Sequence, residues 1–256
     1  MSYHYQLSQS PSMRNYFIRI FYRKVPTDID TDYHRILLAY SSYYTQLHTP
    51  LKARFRLRLY HLLNIVGFHS PKIPMVSREV RVVIGSSIIQ ITFGLSNYLP
   101  IRFKTVIVMP TRYMYPGYGE PFLGHIDYTK RALYFSWNDV KHGYEVPDDA
   151  VNVALHEMAH VLEAENRYRS MFDRFFRAID WMEWAGVAFE KMNKIRTGNS
   201  AFLKEYGGSN MTEMFAVCVE TYFEQPHEFK RQLPQIYKTM TTLLQQDPTR
   251  RGNPLL

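Results

Sequence analysis

Apolar residues recur at helical spacing along most of the chain. In residues 28–47, Ile36, Leu37, Tyr40, Tyr43, Tyr44 and Leu47 share one face, and Asp28, Asp30 and Asp32 enrich the start. One helix is predicted there. Pro50 is placed to open a second, residues 51–66, with Phe55, Leu59, Leu62, Leu63 and Val66 on its apolar face and Arg54, Arg56 and Arg58 interleaved. Residues 80–95 fit either a strand beginning VRVVI or a helix with Val80, Ile84, Ile88, Ile91 and Leu95 on one side; the helix is preferred. TVIVM at residues 105–109, stopped by Pro110, and ALYFSW at 132–137 read as strands. Residues 114–124 between them carry Tyr, Pro and Gly, which is loop chemistry. Residues 138–147 lead into 151–163, a stretch apolar nearly all round and therefore a buried helix. Further on, residues 168–194 form an aromatic helix or helix pair with Trp181, Trp184 and Phe189, and residues 198–208 a loop. Residues 212–224 make another mostly apolar helix, and Pro226 starts a last one running to about Gln246.

The 256 residues hold no run of apolar residues long enough to span a bilayer, and no secretory leader is expected. A cytoplasmic setting is therefore expected, although residues 13–24 (MRNYFIRIFYRK) are basic and aromatic enough to lie on a membrane surface. Cys218, the one cysteine, excludes an internal disulfide framework and sits among apolar residues, as an inert thiol would. The net charge of +8 permits an acidic partner, but no nucleic-acid-binding motif accompanies it, and nucleic-acid binding is not expected.

The candidate chemistry lies in VNVALHEMAHVLE, residues 151–163, where His156, Glu157 and His160 stand in the order H-E-x-x-H. Histidines four apart lie one turn apart on one helix face, so both imidazoles reach one metal ion. Glu157, beside the first histidine, reaches a water on that metal and suits a general base. Burying such groups in an apolar helix is costly without partners, and a zinc ion provides them. Asp148 and Asp149 are expected to cap the helix. A catalytic zinc takes a third protein ligand. Glu163, Glu165, Glu183, Glu213 and Glu220 are candidates; Glu213 and Glu220, both on the apolar 212–224 helix, are nearly tied.

HEMAHVLE followed by EMFAVCVETYFEQP resembles the Mlc titration factor A family of bacterial zinc peptidases. The likeness runs from about Asp28 to Asp247, through TVIVMP and ALYFSWNDV, and the wider plan is that of lethal-factor-type catalytic domains. It implies an α+β fold: a mainly helical, zincin-type metallopeptidase domain over residues 28–256, with a small β-sheet beside the motif helix and residues 1–27 as an extension. It implies one Zn²⁺ per chain with Glu213 as third ligand. Glu220 then becomes a supporting residue, as Glu163 would be where better-known members carry aspartate. It also implicates Tyr206, seven residues before Glu213, as a donor to the oxyanion. The strand at 132–137 is expected at a sheet edge, where an extended peptide could add. The implied activity is hydrolysis of a peptide or protein substrate; the ligands alone do not separate endopeptidase from aminopeptidase. Because that family is linked to sequestering a transcriptional repressor, a regulatory binding module with weak or no peptidase activity is the alternative.

Overall fold

The computed structural model describes residues 22–170, 174–197 and 202–256. The extension, residues 1–27, lies mostly outside them, as does the basic aromatic stretch up to Phe21. Tyr22 sets its ring edge-on to Tyr60 and its carbonyl 2.7 Å from His61 Nε2.

The helix expected over 28–47 is two. Helix α1, Thr27–Tyr40, stops at Ser41, whose hydroxyl accepts from Tyr44 N and so caps α2, Ser42–Gln46. A serine oxygen competing for a backbone donor favours a new helix start over continuation. Helix α3, Thr49–Leu63, carries Pro50 in its first turn, where a missing N–H costs nothing. Its Arg58 is buried and donates to the carbonyls of Thr92, Phe93 and Leu95, closing the end of α4, Arg78–Ile91. Residues 80–91 are thus helix rather than strand. Ser77 caps α4 by accepting from Val80 N.

The sheet has four strands in the order β1-β2-β4-β3. Strands β1 (Gly67–His69), β2 (Thr105–Met109) and β4 (Ala132–Ser136) run parallel; β3 (Gly124–Asp127) pairs antiparallel with β4. The strand expected at an edge, β4, is therefore interior. The edge beside it belongs to β3, at the end of the segment read as loop. Trp137, read as strand, begins α5, Trp137–Glu145.

Helix α6, Val153–Tyr168, carries the H-E-x-x-H motif. Its cap is Asn152, not Asp148 or Asp149: the Asn152 side chain accepts from Leu155 N and donates to Gly143 O, while Asp149 turns back onto Val151 N. The aromatic stretch after it becomes α7, Ala178–Arg196, where Trp181 and Trp184 pack on Phe215. A 3-10 turn, Glu205–Gly208, occupies part of the expected loop 198–208. Helix α8 is Met211–Glu224, with Cys218 buried in it and its thiol pushed up by that burial. The expected last helix splits into α9, Pro226–Gln232, and α10, Pro234–Leu244. Pro234 forces the break: it has no N–H to donate and disfavours helical geometry at Leu233. No helix among the described residues is long and apolar enough to cross a membrane. The described residues form a mainly helical α+β fold with one small mixed sheet.

The motif helix crosses α8 and packs against α4 and β3. Its far end is anchored by Glu165, which is fully buried. Glu165 Oε1 accepts from the backbone N–H of Ile101, Arg102 and Phe103, and Oε2 accepts from Arg169 Nε at 3.1 Å. Removing one partner of such a buried charged group strands the others. Glu165→Ala should lower the unfolding free energy by about 3–5 kcal/mol, measured by urea denaturation.

Candidate metal centre

Helical geometry puts His156 and His160 on the face of α6 that meets α8. Their rings lie edge to face with centroids 4.7 Å apart and their Nε2 atoms 3.1 Å apart. From α8, Glu213 brings Oε2 to 3.2 Å from His156 Nε2 and 3.4 Å from His160 Nε2. Asn210, capping α8, accepts from Glu213 N and fixes that first turn. Glu213 Oε2 is buried, and neither nitrogen meets it in hydrogen-bond geometry. Two ring nitrogens and a carboxylate oxygen therefore converge with little to satisfy them. A tetrahedral ion with bonds of about 2.0–2.1 Å holds its ligands about 3.3–3.4 Å apart, close to this triangle. The three side chains could hold one metal ion.

The electrostatics agree. Burial disfavours a charged His156, but Glu213 and Glu220 outweigh it and raise the imidazole well above its ordinary range. Burial would also raise Glu213, yet its contacts with the two histidines hold it low. The carboxylates that keep a proton on His156 are those that would favour a cation in its stead.

Glu220, two turns along from Glu213, reaches the other side of the same imidazole. Its Oε2 lies 3.1 Å from His156 Nδ1 and 3.3 Å from Lys204 Nζ, and its Oε1 accepts from Asn152 N at 2.9 Å. His160 Nδ1 is buried with no partner among the described residues. The role expected of Glu163, holding a ligand histidine, is not what its contacts give: its carboxylate is taken by Arg167, one turn on. Glu183 is exposed on α7, and Glu165 serves the far end of α6 as described.

Glu157 is buried, with its carboxyl raised by burial against the lowering influence of His156 and His160. It faces β3, where a Cβ placed on Gly124 would lie 2.9 Å from Glu157 Cγ and 2.7 Å from Val153 Cγ2. Only glycine lets the edge strand approach so near. Tyr206, on the 3-10 turn, has its ring 6.0 Å from that of His156 and is 56% exposed. Burial of its hydroxyl end, with Glu213 beside it, pushes the phenol up to about 12, so it is a donor at neutral pH.

Sequence reasoning missed Gly124, Asn152 and Lys204. The run G-H-I-D, with one apolar side chain, is too short to signal a strand. An asparagine just before the apolar run is a cap signal as good as the two aspartates.

A family model of glucose-regulated metallopeptidases, M90, matches residues 21–245. An uncharacterized protein of the cyanobacterium Synechocystis is 22% identical over 213 residues, covering 77% of this chain and 78% of its own. Mlc titration factor A from Escherichia coli strain SMS-3-5 is 23% identical over 165 residues, 58% of this chain. The same protein from Shigella flexneri gives the same figures. Against these titration factors the match spans 62% of their length.

At the end of α8, near this cluster, burial lifts the Glu224 carboxyl to about 8; Asn152 opposes the shift and the charge of Glu220 adds to it. A raised carboxyl favours the fold while protonated. That contribution is complete below the unfolded value of about 4.3 and is lost as pH climbs to about 8. Glu224→Gln should therefore melt several degrees above the parent at pH 8.5 and level with it near pH 4, by calorimetry.

Proposed function

The chain belongs to the glucose-regulated metallopeptidase family M90, and we propose that it hydrolyses peptide bonds with one zinc ion held by His156, His160 and Glu213. The observation that carries this reading is the convergence of those three ligand atoms beside a buried glutamate. When bound, zinc would lower the pKa of a water and polarise the substrate carbonyl. The remaining work falls to the chain. Glu220 accepts from His156 Nδ1, which turns Nε2 and its lone pair toward the ligand triangle. Glu157, its carboxyl raised by burial, takes a proton from the attacking water and returns it to the leaving amine. Tyr206 donates to the carbonyl oxygen as that oxygen gains charge. Strand β3, with one edge free of partners among the described strands and Gly124 against Glu157, receives an extended substrate as a further strand.

The name of the titration-factor relatives favours a second reading, in which the chain binds and sequesters a transcriptional regulator and the metal site serves as scaffold. The two readings part at Glu157. A peptidase needs its carboxylate; a sequestering protein does not.

Purified protein should contain about one zinc per chain by elemental analysis. Glu213→Ala should lose it, whereas Glu220→Ala should keep the site and bind about 10- to 100-fold more weakly, as loss of a histidine's supporting partner does. Zinc lost only from Glu220→Ala would reverse the assignment of the two glutamates. Glu157→Gln should retain zinc and lose about 10²- to 10⁴-fold in hydrolysis of short peptides. A cellular effect that survives Glu157→Gln would establish the sequestering reading instead.

A further inference from the structure

The turn that carries Tyr206 is held from two sides. At its far end Arg196 donates from Nε to Gly208 O and from Nη2 to Ser209 O, the latter at 2.8 Å. Within it, Gly207 N donates to Lys204 O at 3.0 Å and Ser209 N to Tyr206 O at 3.1 Å. At its near end stands Lys204, the residue preceding the 3-10 turn. Its ammonium reaches the Glu220 Oε2 that also takes His156 Nδ1.

An ion pair at the surface is worth little, and the Lys204 side chain is 36% exposed. Its partner is different: the Glu220 side chain is only 4% exposed. A carboxylate so buried depends on its protein donors, because water does not replace the one removed. Glu220 has three: Asn152 N, His156 Nδ1 and Lys204 Nζ. Two of these belong to the motif helix and its cap. Lys204 alone of the three joins that carboxylate to the tyrosine-bearing segment.

We propose that Lys204 is a positioning residue that clamps the Tyr206 turn onto Glu220, so that one carboxylate sets both the histidine and the phenol. The inference rests on the metal-site reading above and deepens it. Arg196 fixes where the turn lies; Lys204 fixes how near its tyrosine stands to the ligand triangle. Apart from the hydrogen bond of its hydroxyl to Glu213, this exposed phenol on a four-residue turn has no other charged tether on that side among the described contacts.

The test uses the full chain with Lys204→Met, Lys204→Arg, Tyr206→Phe and the Lys204→Met/Tyr206→Phe double variant, each checked for fold by circular dichroism and for zinc content at saturating metal. Hydrogen exchange at the Gly207 and Ser209 amides reads the clamp without any activity. It should quicken about tenfold in Lys204→Met, the scale of one hydrogen bond to a charged group, and stay near wild type in Lys204→Arg. In peptide hydrolysis Lys204→Met should lower kcat about tenfold with KM within about twofold, and the double variant should be no slower than Tyr206→Phe alone, as residues acting as one unit are not additive. Unchanged exchange in a folded Lys204→Met, or losses that simply multiply in the double variant, would overturn the clamp. A wild type without zinc or without hydrolysis would instead overturn the peptidase reading and leave exchange to decide on Lys204.

Discussion

Charge buried where two helices cross is the constraint on which this structure depends. Helix α6 packs across α8, and the acidic groups buried at that contact and at the far end of α6 have little water to turn to. Each must find donors within the protein or shed its charge. Glu220 finds the cap of α6, a histidine and a lysine; Glu165 finds three consecutive backbone amides and an arginine. The motif helix is thereby gripped near both ends by carboxylates. Its rotation about its own axis is set, and with it the direction in which His156 and His160 point.

The sheet completes the cleft by an addition rather than by its core. Three parallel strands form the packed part, and β3 is laid antiparallel against β4 on the side of the motif helix. Its approach is limited by Gly124, which brings backbone, not side chain, against Val153 and Glu157. The glutamate is thus held between a helix it belongs to and a strand that touches it without a Cβ.

Much of this was legible where a segment's surroundings are uniform. The motif helix is apolar on nearly every side because it is packed on nearly every side, and the pattern survives in the residues. The same holds for α8. Legibility failed where local signals compete or where the answer is not local. Ser41 divides one apolar periodicity into two helices by capping the second, and Pro234 does so by lacking a donor. Asp148 and Asp149 are good caps placed three or four residues too early, since Ala150 turns the chain at a positive φ of 58° before the helix begins. Strands β1 and β3, three and four residues long, carry no readable alternation, and so the residue pattern points to the wrong strand as the edge. The tie between Glu213 and Glu220 had a physical root. Seven residues apart on one helix, they share a face and grip opposite nitrogens of the same imidazole. Residue type and spacing do not distinguish those positions; only the crossing angle with α6 does.

Glu220 also has a consequence for how such a chain can change over evolutionary time. Its two oxygens serve different masters: one steadies the start of a helix, the other orients a side chain of the candidate centre. A lineage that abandoned hydrolysis would be under no pressure to keep Glu157, the base of the proposed reaction, yet it would still need Glu220 to hold α6 in place. Descendants that drift toward pure binding should therefore lose the base first and retain the outer framework of a centre they no longer use. In such a fold the vestige outlasts the activity, because the scaffold itself is built from it.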